Sequence, residues 1–199
     1  MNTTGRHHFL LLAVVASAWG IAPGRTHADV KFFDGGYAEL CSNAAHNVEE
    51  QLHTEITGSR LAVTPLELCT LAIKNGEAAS IAGSYNNRGV LYFHEGLLPE
   101  ALTDFEEAIR RDATLAIAHI NRGYALVALG RWAESITAFD SGIALGSTES
   151  AKAHYNRGIA HEELGQVREA YNDYSKAAEL APEWEAPKRE LERFIVKRQ

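Results

Sequence analysis

Three copies of the triplet Asn-Arg-Gly, at nearly equal intervals, constrain the fold of this chain more than any other feature. They are Asn87-Arg88-Gly89, Asn121-Arg122-Gly123 and Asn156-Arg157-Gly158, and their glycines are 34 and then 35 residues apart. A fixed period in this range indicates a stack of repeated units rather than one globular core, because each unit buries its apolar face against the next.

Aromatic and small residues recur at matching distances from each triplet. The aromatic positions are Phe105, Phe139 and Tyr174, and a small residue stands four places before each of them. Glycine inside a helix costs roughly 1 kcal/mol relative to alanine. Three glycines at one spacing therefore indicate that two helices approach closely, with the aromatic ring filling the space between them. Gly96, Gly130 and Gly165 are typical of a left-handed residue that ends the first helix of each pair.

The pattern over residues 82 to 184 resembles the tetratricopeptide repeat (TPR) family. His119 and His154 stand where that family often has Trp, and the triplet arginines stand where it usually has Leu. The resemblance implies an all-α TPR solenoid, a right-handed superhelix of helical hairpins, within a domain at 81–184. The expected repeats are 82–115, 116–149 and 151–184. The predicted helices are 80–95, 98–111, 116–129, 131–145, 150–164 and 166–180.

The N-terminal segment 1–28 has the pattern of a secretory signal peptide. Arg6 precedes an apolar run from Phe9 to Trp19, and a small residue, Ala28, closes the segment. The run is short for a transmembrane helix, which favours a signal peptide. An uncleaved N-terminal anchor is the alternative. The chain carries a net charge of −7. Cleavage of the segment would remove two arginines and no acidic residue, so the mature chain would be more acidic. An acidic mature chain argues against binding of nucleic acid or anionic lipid.

Residues 29–80 are less regular and predict a degenerate N-terminal helical hairpin. One helix is expected over 37–52, and a second begins at Thr64-Pro65, since proline suits the first turn. Cys41 and Cys69 are the two cysteines, one on each helix. In an exported protein this pair predicts a disulfide, whose loop closure would contribute about 3 to 4 kcal/mol. Two free buried thiols and a metal or redox site are the alternatives.

The C-terminal segment 185–199 predicts a capping helix for the last repeat. Together with Trp184, its residues Leu191, Phe194 and Ile195 form an apolar stripe. Such a helix would cover the otherwise exposed face of the solenoid. The alternative is a helix that docks on a partner or on a membrane surface.

The resemblance places a peptide-binding groove along the first helix of each repeat. Asn87, Asn121 and Asn156 occupy equivalent places, similar to the asparagine ladder of O-linked N-acetylglucosamine transferase, and local bonding within the stack is the alternative. Tyr124 and Tyr155 are the expected aromatic anchors, with scaffold packing as the alternative. The expected groove residues are Asn87, Ile117, Ile120, Asn121, Tyr124, Lys152, Tyr155, Asn156 and Ile159.

The sequence contains no motif that predicts an enzyme, a cofactor site or a metal site. The chain lacks a nucleophile elbow, a Gly-rich phosphate loop and a Cys/His ligand set. With its repeats and its signal-like segment, the chain resembles exported TPR proteins of Gram-negative envelopes. We expect a periplasmic adaptor or assembly factor that binds a protein or peptide and no nucleic acid. It should have no membrane span after signal removal and be monomeric or weakly self-associating. A self-associating structural protein is the alternative, and a small enzyme or metal-binding protein is less favoured.

Overall fold

The computed structural model describes residues 41–43, 45, 64–76 and 78–194. The predicted signal peptide, most of the helix predicted at 37–52, the loop at 53–63 and Ile195 lie outside these residues. The described part of the chain contains helices and turns but no strand. Its helices are α1 (Pro65–Asn75), α2 (Ala78–His94), α3 (Leu98–Arg111), α4 (Ala116–Ala128), α5 (Trp132–Ala144), α6 (Ser150–Glu163), α7 (Val167–Leu180) and α8 (Glu185–Arg193).

The described residues divide into two compact units, and the boundary lies within α4, between Arg122 and Gly123. The N-terminal unit holds α1, α2, α3 and the first half of α4. The C-terminal unit holds the second half of α4 and helices α5 to α8.

Helix α1 begins with a capping box. The Thr64 hydroxyl accepts a hydrogen bond from the backbone N–H of Glu67 at 3.2 Å, and the Thr64 N–H donates to the Glu67 carboxylate at 2.8 Å. Pro65 occupies the first turn, so the predicted start of this helix is confirmed. The sulfur atoms of Cys41 and Cys69 are buried 2.13 Å apart, which is disulfide distance.

Close helix–helix approach explains the triplet glycines, as the sequence predicted. A Cβ atom on Gly89 would lie 2.7 Å from the Phe105 ring, and one on Gly158 would lie 2.9 Å from the Tyr174 ring. Phe105 and Tyr174 are fully buried. In each of the hairpins α2–α3 and α6–α7, an aromatic side chain of the second helix therefore packs directly against the glycine backbone of the first. The predicted span 98–111 agrees with α3, and the other predicted ends lie within two residues of the observed ones.

The turn inside each hairpin uses a left-handed glycine. Gly96 has a φ of 77° and Gly165 has a φ of 72°. The Leu97 N–H donates to the Tyr92 carbonyl at 2.9 Å, and the Gly96 N–H donates to the Phe93 carbonyl at 3.1 Å. These bonds satisfy the last carbonyls of α2 and favour glycine at its end.

Helix α8 packs against the hairpin α6–α7. Its apolar residues meet a buried cluster made by that hairpin. The cluster consists of Tyr155, Ala170, Tyr174 and Ala177, and the residues on it include Trp184, Leu191 and Phe194. Among the described helices, none is long and apolar enough to cross a membrane.

Candidate functional site

The asparagines of the N-terminal unit form a short chain of buried carboxamides. Asn121 Nδ2 donates to Asn86 Oδ1 at 2.9 Å, and Asn86 Nδ2 donates to Asn87 Oδ1 at 3.3 Å. All three side chains are buried. Asn121 and Asn87 are thus connected through Asn86, which has no asparagine at the equivalent place of the other two repeats.

Asn156 in the C-terminal unit has a different environment. Its Nδ2 donates to the Lys152 carbonyl one turn earlier on α6, at 2.9 Å. The side chain is fully buried, and Oδ1 has no hydrogen-bond partner among the described residues. A buried acceptor in this state is rare in native proteins.

Both predicted tyrosine anchors lie inside packed hairpins. The Tyr124 ring meets Phe139 edge-on with centroids 5.5 Å apart, and the Tyr155 ring lies 4.8 Å from Trp184 and 5.5 Å from Tyr174. Burial, followed by the charge of Glu190, raises the pKa of Tyr155 to about 12. Each ring therefore contributes to the core of its unit in this structure.

Only some of the predicted groove residues are partly exposed. Ile120 is fully buried, whereas Ile117 on α4 and Ile159 on α6 are half-buried. The Lys152 ammonium lies 2.7 Å from Glu149, with 23% of its side chain exposed. A ligand meeting α6 would thus contact a paired cation and an apolar side chain two turns apart on one face.

A second polar site lies on the hairpin α6–α7. Arg157 donates to the buried carboxylate of Asp173 through Nε at 2.9 Å and Nη2 at 2.6 Å. The His154 Nδ1–H donates to the same carboxylate at 2.8 Å. Burial alone would raise the pKa of Asp173, but the hydrogen bonds from Arg157 and His154 outweigh it and hold the pKa below its usual value.

The imidazoles around Asp173 were not predicted from the sequence. His161 Nε2 lies 3.7 Å from Asp173 Oδ2, and Asp140 on α5 contacts the Arg157 guanidinium. The signal for this cluster was the seven-residue spacing of His154 and His161, which puts both rings on one face of α6.

The N-terminal unit contains the equivalent ion pair without histidines. Arg88 donates to Asp104 through Nε at 2.7 Å and Nη2 at 2.8 Å. Its guanidinium carbon lies 5.3 Å from the Tyr85 ring centroid and 5.8 Å from that of Tyr92. The cation is therefore held between a carboxylate and two aromatic rings.

Comparison with protein families identifies two of the repeats. Tetratricopeptide repeat models match residues 82–115 and 151–183. No curated protein matches the chain at a significant level.

Several solved TPR structures are similar to the chain. The first TPR of Spaghetti (RPAP3) bound to the HSP90 peptide SRMEEVD is 27% identical with a TM-score of 0.54, over 56% of this chain and 88% of that one. The second TPR domain of human RPAP3, in complex with the HSP70 peptide SGPTIEEVD, is 28% identical with a TM-score of 0.54, over 58% and 96%.

A likeness of fold alone extends further along the chain. MamA from Desulfovibrio magneticus RS-1 is 17% identical with a TM-score of 0.62, and the match covers 79% of this chain and 82% of that one. The helical hairpins, the repeat matches and these structures agree with one another. The chain therefore contains tetratricopeptide repeats, and its fold is an all-α TPR solenoid.

Proposed function

We propose that this chain is a non-catalytic protein-binding module that takes an extended peptide or partner segment along the first helices of its repeats. TPR domains are generally protein–protein interaction modules, and the two similar RPAP3 domains are in complex with HSP90 and HSP70 peptides. This general role supports a binding function rather than a catalytic one.

The observation that carries the proposal is the face of α6. Lys152 and Ile159 are partly exposed there, and Asn156 lies between them with a carbonyl oxygen that lacks a donor among the described residues. A peptide N–H is the group that would complete this buried acceptor once binding opens a path to it. Because Lys152 is already paired with Glu149, this face suits a partly apolar segment better than a peptide carboxylate.

Substitutions at the partly exposed positions test the proposal. Lys152→Glu and Ile159→Asp should abolish capture of a partner segment in an envelope crosslinking pulldown, because they change the ligand-facing surface. Ile159 also packs on the cluster of Tyr155 and Tyr174, so circular dichroism first checks that Ile159→Asp keeps its helices. Asn156, Tyr124 and Tyr155 are unsuitable, since they are buried and their loss would perturb the fold. Arg168→Glu, a charge reversal on the exposed start of α7, is the matched control and should leave capture unchanged.

A photoreactive residue at position 159 identifies the bound segment. Peptide fragments crosslinked at 159 but not at the exposed position 172 would locate the partner on α6. Equal crosslinking at both positions, or capture unaffected by Ile159→Asp, would exclude this face. Recovery of only the protein itself would instead favour self-association.

A periplasmic adaptor or assembly role is the second part of the proposal. The signal-like segment 1–28 supports export, and the pair Cys41 and Cys69 at disulfide distance suits an oxidising compartment. Cell fractionation with N-terminal sequencing of the mature protein tests it. An intact Met1 on a protein found in the cytoplasm would overturn the proposed location.

A further inference from the structure

The Asp173 cluster contains a nitrogen atom whose hydrogen-bonding role changes with protonation. His161 Nδ1 contacts the side-chain oxygen of Gln166, an atom that can only accept a hydrogen bond. Nδ1 therefore carries the proton in the neutral ring, and Nε2 carries a lone pair. This nitrogen lies 3.7 Å from Asp173 Oδ2, in a side chain that is only 15% exposed.

The other imidazole already has its proton in place. His154 Nδ1 lies 2.8 Å from the Asp173 carboxylate, so this nitrogen must donate. The neighbouring contact from Arg157 Nη2 to the same nitrogen, at 3.2 Å, cannot be a hydrogen bond at the same time. His154 thus supplies a hydrogen bond in its neutral form, whereas His161 supplies none to Asp173.

We propose that the hairpin α6–α7 is a proton-responsive element, in which a solvent proton taken up at His161 Nε2 strengthens the contact between the two helices. Protonation turns a lone pair near a carboxylate into an N–H donor. A small movement then closes the 3.7 Å gap to hydrogen-bond distance. Charge-assisted hydrogen bonds of this kind are stronger than neutral ones.

The charged groups of this cluster come from α5, α6 and α7. From α7 the imidazole faces Asp173, and from its own helix the guanidinium of Arg157 belongs to the same cluster. From α5, Asp140 contacts Arg157 rather than an imidazole. These three groups carry one negative charge in sum, which one proton neutralises. On the side of α8, Arg193 is paired with Glu162.

The first repeat lacks these histidines, although it has the same glycine–aromatic contact and the same arginine–aspartate ion pair. Tyr85 and Tyr92 stand where the third repeat has His154 and His161, 69 residues later. The rings of these tyrosines lie beside Arg88, and a phenol ring has no nitrogen lone pair that could become an N–H donor. The hairpin α2–α3 is therefore an internal control within the same molecule.

Amide hydrogen exchange of the purified protein tests the proposal. Between about pH 8 and about pH 5, the range in which histidine titrates, protection of α6 and α7 corrected for intrinsic exchange should rise about three- to tenfold, as expected for a partly buried ionic hydrogen bond. Protection of α2 and α3 should change less. His161→Gln, which keeps a polar side chain but cannot titrate, should abolish the rise.

Two further variants separate this effect from general destabilisation. His161→Tyr copies the first repeat and should also give a flat profile, and His119→Gln should keep the wild-type rise, since its imidazole contacts a backbone carbonyl. Nitrogen-15 shifts should show His161 as the Nδ1–H tautomer at high pH. A flat wild-type profile, a rise that survives in both His161 variants, or an Nε2–H tautomer would overturn the proposal.

Discussion

The first and third repeats share one frame but hold their central arginine differently. In both, a triplet glycine meets an aromatic ring and the triplet arginine forms a two-point ion pair with a buried aspartate. Arg88 is flanked by the rings of Tyr85 and Tyr92. Arg157 is flanked by an imidazole and a second carboxylate.

The difference shows which parts of a repeat are fixed by packing and which are free to vary. The glycine–aromatic contact leaves no room for another side chain, so both repeats keep it. The positions beside the ion pair are only partly buried and accept rings of different chemistry. Variation in a TPR hairpin can thus add a titratable group without altering the helices.

Truncating the shared aromatic ring should have the largest effect. Phe105→Ala and Tyr174→Ala should each lower the free energy of unfolding by about 3 to 5 kcal/mol, because each leaves a cavity in a fully buried position. Stability in a solenoid is a sum of local terms. Hydrogen exchange should therefore increase mainly in α2–α3 for the first variant and in α6–α7 for the second.

The matched pair of variants is its own control. Loss of protection spread equally over both hairpins by either variant would show that the repeats do not behave as separate local units. It would also contradict the reading of the two frames as equivalent but independent.

Removing the aspartate of the ion pair should destabilise the third repeat more than the first. Asp173→Ala leaves Arg157 without its main partner and deprives His154 of its acceptor, so we expect a loss of about 2 to 4 kcal/mol. Asp104→Ala should cost less, because Arg88 keeps its contacts with two tyrosine rings and donates to Thr70. Urea unfolding monitored by circular dichroism measures both values.

A triple substitution checks the origin of this difference. Adding Tyr85→Leu and Tyr92→Leu to Asp104→Ala removes the aromatic support, so the loss should approach that of Asp173→Ala. If Asp104→Ala is already the more damaging single variant, the aromatic rings do not support the arginine as described.

The helical hairpins and their glycine–aromatic contacts could be predicted from the sequence, because they depend on local patterns that recur in each repeat. Gly89 and Phe105 could be paired from spacing alone. The partners of the asparagines could not, since Asn121 bonds to the unrepeated Asn86, and that choice depends on side-chain packing. Tyr155 was expected to face a ligand, but it lies against Trp184, a contact set by how α8 packs.

Acid should weaken the third repeat through Asp173. Its pKa is held below the usual value of 3.8, so its contribution to stability is present above that value and is lost as pH falls through the lower folded-state pKa. The loss should be smaller than for Asp173→Ala, because a protonated carboxyl can still accept hydrogen bonds. Unfolding free energies measured at acidic pH should fall less steeply in Asp173→Asn than in wild type.

The hydroxyl of Tyr174 should have the smallest effect. It donates to Glu162 at 3.0 Å, and the equivalent Phe105 has no such group, so Tyr174→Phe makes the third repeat more like the first. Loss of one hydrogen bond should cost about 0.5 to 1.5 kcal/mol. Burial, followed by the charge of Glu162, raises the pKa of Tyr174, so its neutral form stabilises the protein until pH rises above the usual value of 10.0. Alkaline unfolding should therefore be less steep in Tyr174→Phe, and an unchanged alkaline slope would show that another group sets it.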